Sequence, residues 1–103
     1  MAVVMSMRWQ GMTPNDYDQA REAVGWESDP APGGRHHTAW FDADGALRVV
    51  DVWDGEEDFN RFANERLMPG LAAAGLLEGK GEPEIAFAPL HREWSPDQVS
   101  ATS

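Results

Sequence analysis

The sequence predicts an α+β domain with the element order β-α-β-β-α-β, and three observations carry that expectation. The run from Arg35 to Pro69 reads as strand, tight turn, strand and capped helix. An apolar stretch at the N-terminus leads directly into a second helix start at Thr13. An alternating stretch, Glu84 to His91, closes the order with a strand.

Val3 to Trp9 is rich in Val and Met and holds no turn residue, as expected of a strand covered on both faces. Gly11 and Met12 break it. Thr13-Pro14-Asn15-Asp16 then fits a helix start, with Thr13 as cap, Pro14 at the first helical position and an acid in the first turn. Tyr17, Ala20 and Val24 fall on one helical face, whereas Asp18, Gln19, Arg21 and Glu22 face water. Gly25 is placed to end the helix. Trp26 to Gly34, with Pro30, Pro32 and two glycines, is a loop, and the Trp at its start suggests that the loop is pinned to the body or closes over something.

Arg35 to Phe41 is the second strand, Asp42-Ala43-Asp44-Gly45 a turn with Gly suited to the left-handed position, and Leu47 to Trp53 the third strand. Asp54 followed by Glu57 fits a capping-box start to the second helix. Glu56, Glu57 and Asp58 sit at the positive end of its dipole, and Phe59, Phe62, Ala63 and Leu67 form its apolar stripe. Pro69 is expected to break that helix and to open a short one, Gly70 to Ala74, ended by Gly75. Gly79 to Pro83 is a loop before the fourth strand. This is the ferredoxin-like arrangement, a four-stranded antiparallel sheet with helices on one face. The other face of so apolar a sheet also needs a cover, and a second subunit is the simplest one.

At 103 residues the chain is expected to form one domain, residues 1–94, with a disordered tail at 95–103. A domain this small buries a limited share of its surface, which again favours a homodimer. The net charge of −10 makes nucleic acid and anionic membranes improbable partners, since both call for a basic patch. With no Cys there is no disulfide framework and no thiolate site. MAVVMSMRW is too short for a membrane or signal segment and lacks a basic start, so a cytoplasmic protein is expected.

The stretch HHTAWFDADGALRVVDVWDGEEDFNRFANERLMP resembles the dimeric α/β-barrel superfamily, in particular the small antibiotic-biosynthesis-monooxygenase-like proteins. The join between VVDVW and the acidic helix is the most specific part, and the similarity runs from about Val3 to His91. It implies two ferredoxin-like subunits with their sheets face to face, each keeping a cavity. It implies no single activity, because the superfamily includes cofactor-free oxygenases, haem-handling enzymes, isomerases, cyclases and non-catalytic proteins.

Two adjacent residues, His36 and His37, point to opposite faces of a strand and cannot easily share a metal ion. If the turn is a three-residue loop (Ala43, Asp44, Gly45), His37 falls opposite Asp51, with Ala39–Val49 and Phe41–Leu47 on the same face. A two-residue loop would bring His36 there instead. A carboxylate beside an imidazole fixes its tautomer, the usual arrangement of a general base. The same pair can equally be two polar groups satisfying each other on a half-buried strand. Trp53 shares that face, and Trp9, Trp40, Phe87 and Met7 are further candidates to line a cavity for a flat ligand, though aromatics on strands more often simply build the core. Asn60 or Asn64 could join His37 and Asp51 in steadying an aromatic anion, as the resemblance to cofactor-free oxygenases implies, but none of them matches a catalytic motif of that class. Arg8, Arg35 and Arg48 could hold an anionic group, yet salt bridges to the many acids are their more ordinary use.

Two functions follow as expectations. In the first, a homodimer binds, and transforms in a monooxygenase-like or cyclase- or isomerase-like way, an apolar or aromatic small molecule of secondary metabolism, with no cofactor and no metal. His37 and Asp51 would be its base and orienter. In the second, the dimer is a non-catalytic structural or interaction module with a filled interior. Haem ligation by a His fits poorly beside Asp51 and an acidic surface.

Overall fold

A computed structural model of the chain describes residues 1–96; residues 97–103 of the expected tail lie outside the described residues. The elements are β1 (Val3–Trp9), α1 (Pro14–Val24), β2 (Gly34–Phe41), β3 (Leu47–Trp53), α2 (Glu56–Phe62), a π-helical segment (Ala63–Leu67), α3 (Met68–Ala73) and β4 (Glu84–Pro89). The strands form one antiparallel sheet in the order β2-β3-β1-β4, which is the ferredoxin-like α+β topology that the sequence predicts.

Local chemistry sets most of the boundaries. Thr13 and Asp16 form a reciprocal capping box at α1: Thr13 Oγ1 accepts from Asp16 N at 3.0 Å, and Thr13 N donates to the Asp16 carboxylate at 3.0 Å. The β2–β3 connection is the three-residue loop. Asp42 N donates to Ala46 O, and the Asp42 carboxylate accepts from the amides of Asp44 and Ala46 at 2.9 and 3.0 Å. Gly45 takes the left-handed φ of +81° that closes this loop. The register that follows pairs His37 with Asp51, Ala39 with Val49 and Phe41 with Leu47. A bulge between Gly34 and His36 lets β2 start one residue earlier than its sequence suggests.

Three expectations about the elements are corrected. Gly55, not Asp54, caps α2, and no side chain satisfies that end. The Asp54 carboxylate is drawn instead to Arg35, at 3.6 Å. Pro69 does not break the helix. The chain passes from α2 through the π-helical segment into α3, which has Pro69 in its first turn. Met68 N donates to Ala63 O five residues back, a wider turn just ahead of the proline, which has no amide of its own to bond the preceding turn. The fourth strand ends at Pro89, before His91.

Burial alternates along β3, with Leu47, Val49, Asp51 and Trp53 inward. Leu47, Val49 and Trp53, with Met5, Met7 and Trp9 of β1, pack against Ala20 of α1, Phe59 of α2, Leu71 of α3, and Met12 and Leu76. Trp9 Nε1 donates to Gly81 O at 2.5 Å, tying the 79–83 loop to the sheet. The opposite face carries Val4, Ser6, Arg48, Val50, Val52, Thr38 and Trp40, and no helix of the described residues covers it. The two-sided cover expected for β1 is therefore one-sided within a single chain.

Candidate functional site

Between the inward face of the sheet and its helices lies a cavity of about 220 Å³. Met5, Met7, Leu47 and Val49 form its floor, and Trp53, Phe59, Phe62, Leu67 and Leu71 its far wall. Pro30 and Ala31 of the loop after α1 also line it.

Polar groups gather where His37, its side chain one-third exposed, reaches solvent. Asp51 is buried, and both its oxygens are used: Oδ1 lies 2.7 Å from His37 Nδ1, and Oδ2 accepts from Trp53 Nε1 at 3.1 Å. A carboxylate can only accept here, so Nδ1 of His37 carries its hydrogen and Nε2 is left as an acceptor. Tyr17 supplies the donor. Its Oη lies 2.7 Å from His37 Nε2, and the two rings stack with 7° between their planes. Burial, and after it the negative charge of Glu27, pushes the Tyr17 phenol above its ordinary range, so it keeps its proton at neutral pH. The result is a continuous chain of hydrogen bonds, Tyr17 to His37 to Asp51, along one side of an apolar cavity.

Trp26 packs edge-on against His37, with ring centroids 5.5 Å apart, and tilted against Tyr17 at 5.9 Å. Its Nε1 is buried without a hydrogen-bond partner.

The candidate residues read from the sequence fall into two groups, those in the cavity wall and those outside it. Arg35, His36, His37, Asp51, Trp53, Trp9 and Met7 line the cavity. Phe87 faces the same side but lies behind Phe59, 5.7 Å away ring to ring, and does not reach the lining. Trp40 stands on the opposite face of the sheet, 44% exposed, with the Arg48 guanidinium 5.8 Å over its ring. Asn60 and Asn64 point outward from the helical run. His36 pairs with Glu93 at 2.5 Å, away from Asp51. The arginines are engaged by acids: Arg8 and Arg48 meet Asp42 at 3.3 and 3.6 Å, and Arg35 meets Asp54 and Glu93. Tyr17 and Trp26 are the additions that only the structure makes. A tyrosine on the apolar stripe of a helix is a signal for the first, because its hydroxyl must find a partner when the ring is buried. Among the described residues no group of three or more His, Cys, Asp or Glu is arranged to hold a metal ion, and no helix is long and apolar enough to cross a membrane.

No protein-family model and no curated protein sequence matches the chain. Solved structures do. SnoaB from Streptomyces nogalater, a cofactor-independent oxygenase, superposes with a TM-score of 0.63 at 18% identity, covering 89% of this chain and 95% of its own. A protein of unknown function from Nitrosomonas europaea gives a TM-score of 0.66 at 19% identity, over 92% and 94% of the two chains. A candidate antibiotic biosynthesis monooxygenase from Deinococcus radiodurans gives 0.61 at 11% identity, over 92% and 97%. At these identities the shared property is the fold, a ferredoxin-like sheet with its helices on one face.

Proposed function

We propose that this chain, which has the fold of the antibiotic-biosynthesis-monooxygenase-like proteins, binds a one- or two-ring phenol or enol and removes its hydroxyl proton. The observation that carries the reading is the hydrogen-bonded chain from Tyr17 through His37 to Asp51 beside an apolar cavity. A cavity of about 150 Å³ takes up benzene, so about 220 Å³ suits one or two fused rings. The substrate hydroxyl donates to Tyr17 Oη. As the substrate proton passes to that oxygen, the Tyr17 proton passes to His37 Nε2. His37 becomes an imidazolium whose charge Asp51 balances, the substrate becomes an anion, and no net charge enters the cavity. Such an anion is electron-rich enough to react with dioxygen, the opening step of an oxygenation without a cofactor, and it is equally the starting point of an isomerisation or ring closure. SnoaB supports the first of these by its fold alone.

The same reading includes a second copy of the chain on the open sheet face, where Val4, Val50 and Val52 are only half-buried and Trp40 is exposed. It also includes a cytoplasmic setting, which suits an acidic chain without cysteine. 2-Naphthol tests the proton transfer. Below the pH at which it ionises free in solution, it should show its naphtholate absorption band on adding the protein, and His37→Ala should bind it without that band. No band with the unsubstituted protein would overturn the proposal.

A further inference from the structure

We propose that Tyr17 is also a redox site: it gives one electron to an oxidising radical of the organic peroxyl class and holds the resulting hole as a neutral phenoxyl radical. This is a second activity of the Tyr17–His37 pair, and it does not rest on the ligand proton transfer proposed above. A phenol that loses an electron becomes strongly acidic, so it is oxidised far more readily when a base takes the proton in the same step. His37 is that base. Its Nε2 lies 2.7 Å from Tyr17 Oη. Asp51 Oδ1, 2.7 Å from Nδ1, keeps the imidazole hydrogen there, so Nε2 stays ready to accept.

Tyr17 lines the cavity, where a small radical can meet it. The electron passes to the peroxyl radical, which becomes a hydroperoxide anion and takes a proton from water. The Tyr17 O–H bond breaks, its proton bonds to His37 Nε2, and Asp51 balances the imidazolium. One electron from a small reductant such as ascorbate, with the proton returning from Nε2, restores the phenol. Burial, and after it Glu27, keeps the phenolate scarce, but a phenoxyl radical carries no charge and meets no such penalty.

The surrounding indoles are poorer places for the hole to rest. Trp26 stands 5.9 Å from Tyr17, ring to ring, and its Nε1 is buried without an acceptor for the proton. Trp9 Nε1 meets only the peptide oxygen of Gly81. Trp53 Nε1 meets Asp51, and a carboxylate is a weaker base than imidazole.

The chain has one tyrosine, so a phenoxyl signal can come only from Tyr17. The test mixes the protein with hexachloroiridate(IV), a one-electron oxidant, and reads freeze-quenched samples by electron paramagnetic resonance. A phenoxyl signal should appear, narrow when the tyrosine ring is deuterated, stay unchanged when tryptophan is deuterated, and be lost in Tyr17→Phe. Its formation should slow by at least about tenfold in His37→Ala, the contribution expected of a positioned base. It should also slow in D2O, because the O–H bond breaks as the electron leaves. Should His37→Ala fail to fold, the deuterium measurements decide without any substitution. The assignment fails if the signal is an indole's or is absent, if His37→Ala reacts as fast, or if D2O leaves the rate unchanged. The naphtholate band of 2-naphthol reads ligand ionisation separately, so either proposal can fail while the other stands.

Discussion

His37 Nδ1 and Asp51 Oδ1 lie 2.7 Å apart across neighbouring strands, with the second oxygen of Asp51 held by Trp53. Asp51 therefore fixes the imidazole tautomer and satisfies a buried indole at once. In Asp51→Asn the side-chain amide can present a donor to Nδ1, and nitrogen NMR of His37 should show the single tautomer, Nδ1–H, give way to a mixture. Asp51→Ala leaves Trp53 Nε1 buried and unpaired, which should cost about 1–3 kcal/mol in urea unfolding. An unchanged tautomer and an unchanged midpoint would contradict this account.

The chain has one tyrosine, so a phenolate absorbance titration reads Tyr17 alone. Burial, with Glu27 second, raises its pKa, and the native midpoint should lie above the ordinary 10.0, returning there in urea. The folded form holds this proton more tightly than the unfolded form does. Its contribution to stability is thus complete below the unfolded value and is lost as pH rises through the folded one. Glu27→Gln should move the native midpoint part of the way back.

Acid should act in the opposite sense. The Thr13 amide holds the Asp16 carboxyl below its ordinary value, against burial and with help from the Thr13 hydroxyl and Lys80. At Asp42 burial pushes upward, but the amides of Ala46 and Asp44 and the Arg8 side chain outweigh it, and the net shift is down. The unfolded chain then binds protons more readily, so this stability is present above the ordinary value of 3.8 and is lost as pH falls through the lower folded values. Asp16→Asn and Asp42→Asn should each flatten the acid limb of the urea midpoint plotted against pH. Slopes equal to that of the unsubstituted protein would rule the assignment out.

Sedimentation equilibrium should find two copies of the chain together. Val50→Arg places a charge in the centre of the open face and should shift that equilibrium to single chains by at least about tenfold, while the cavity on the other face still binds 2-naphthol. A single chain in the unsubstituted protein at micromolar concentration would rule out a second copy as the cover of this face.

The residues by themselves determined the element order and the helix start at Thr13, because caps and period-2 alternation are encoded within a few positions of one another, and they narrowed the partner of Asp51 to His37 or His36, a choice of register that the structure made for His37. Trp40, expected in the cavity lining, stands on the other face, because strand parity with inward Ala39 and Phe41 turns it away. Only the tertiary structure decided that α1 sits where Tyr17 reaches His37, that the loop after it brings Trp26 to both, and that the chain passes through a π-helical segment into α3 at Pro69. Those outcomes depend on how a helix seats on a sheet and on which competing partner a side chain meets there, as Asp54 meets Arg35 in place of its own helix end. Such contacts join residues distant in the chain, and no local pattern of spacing carries them.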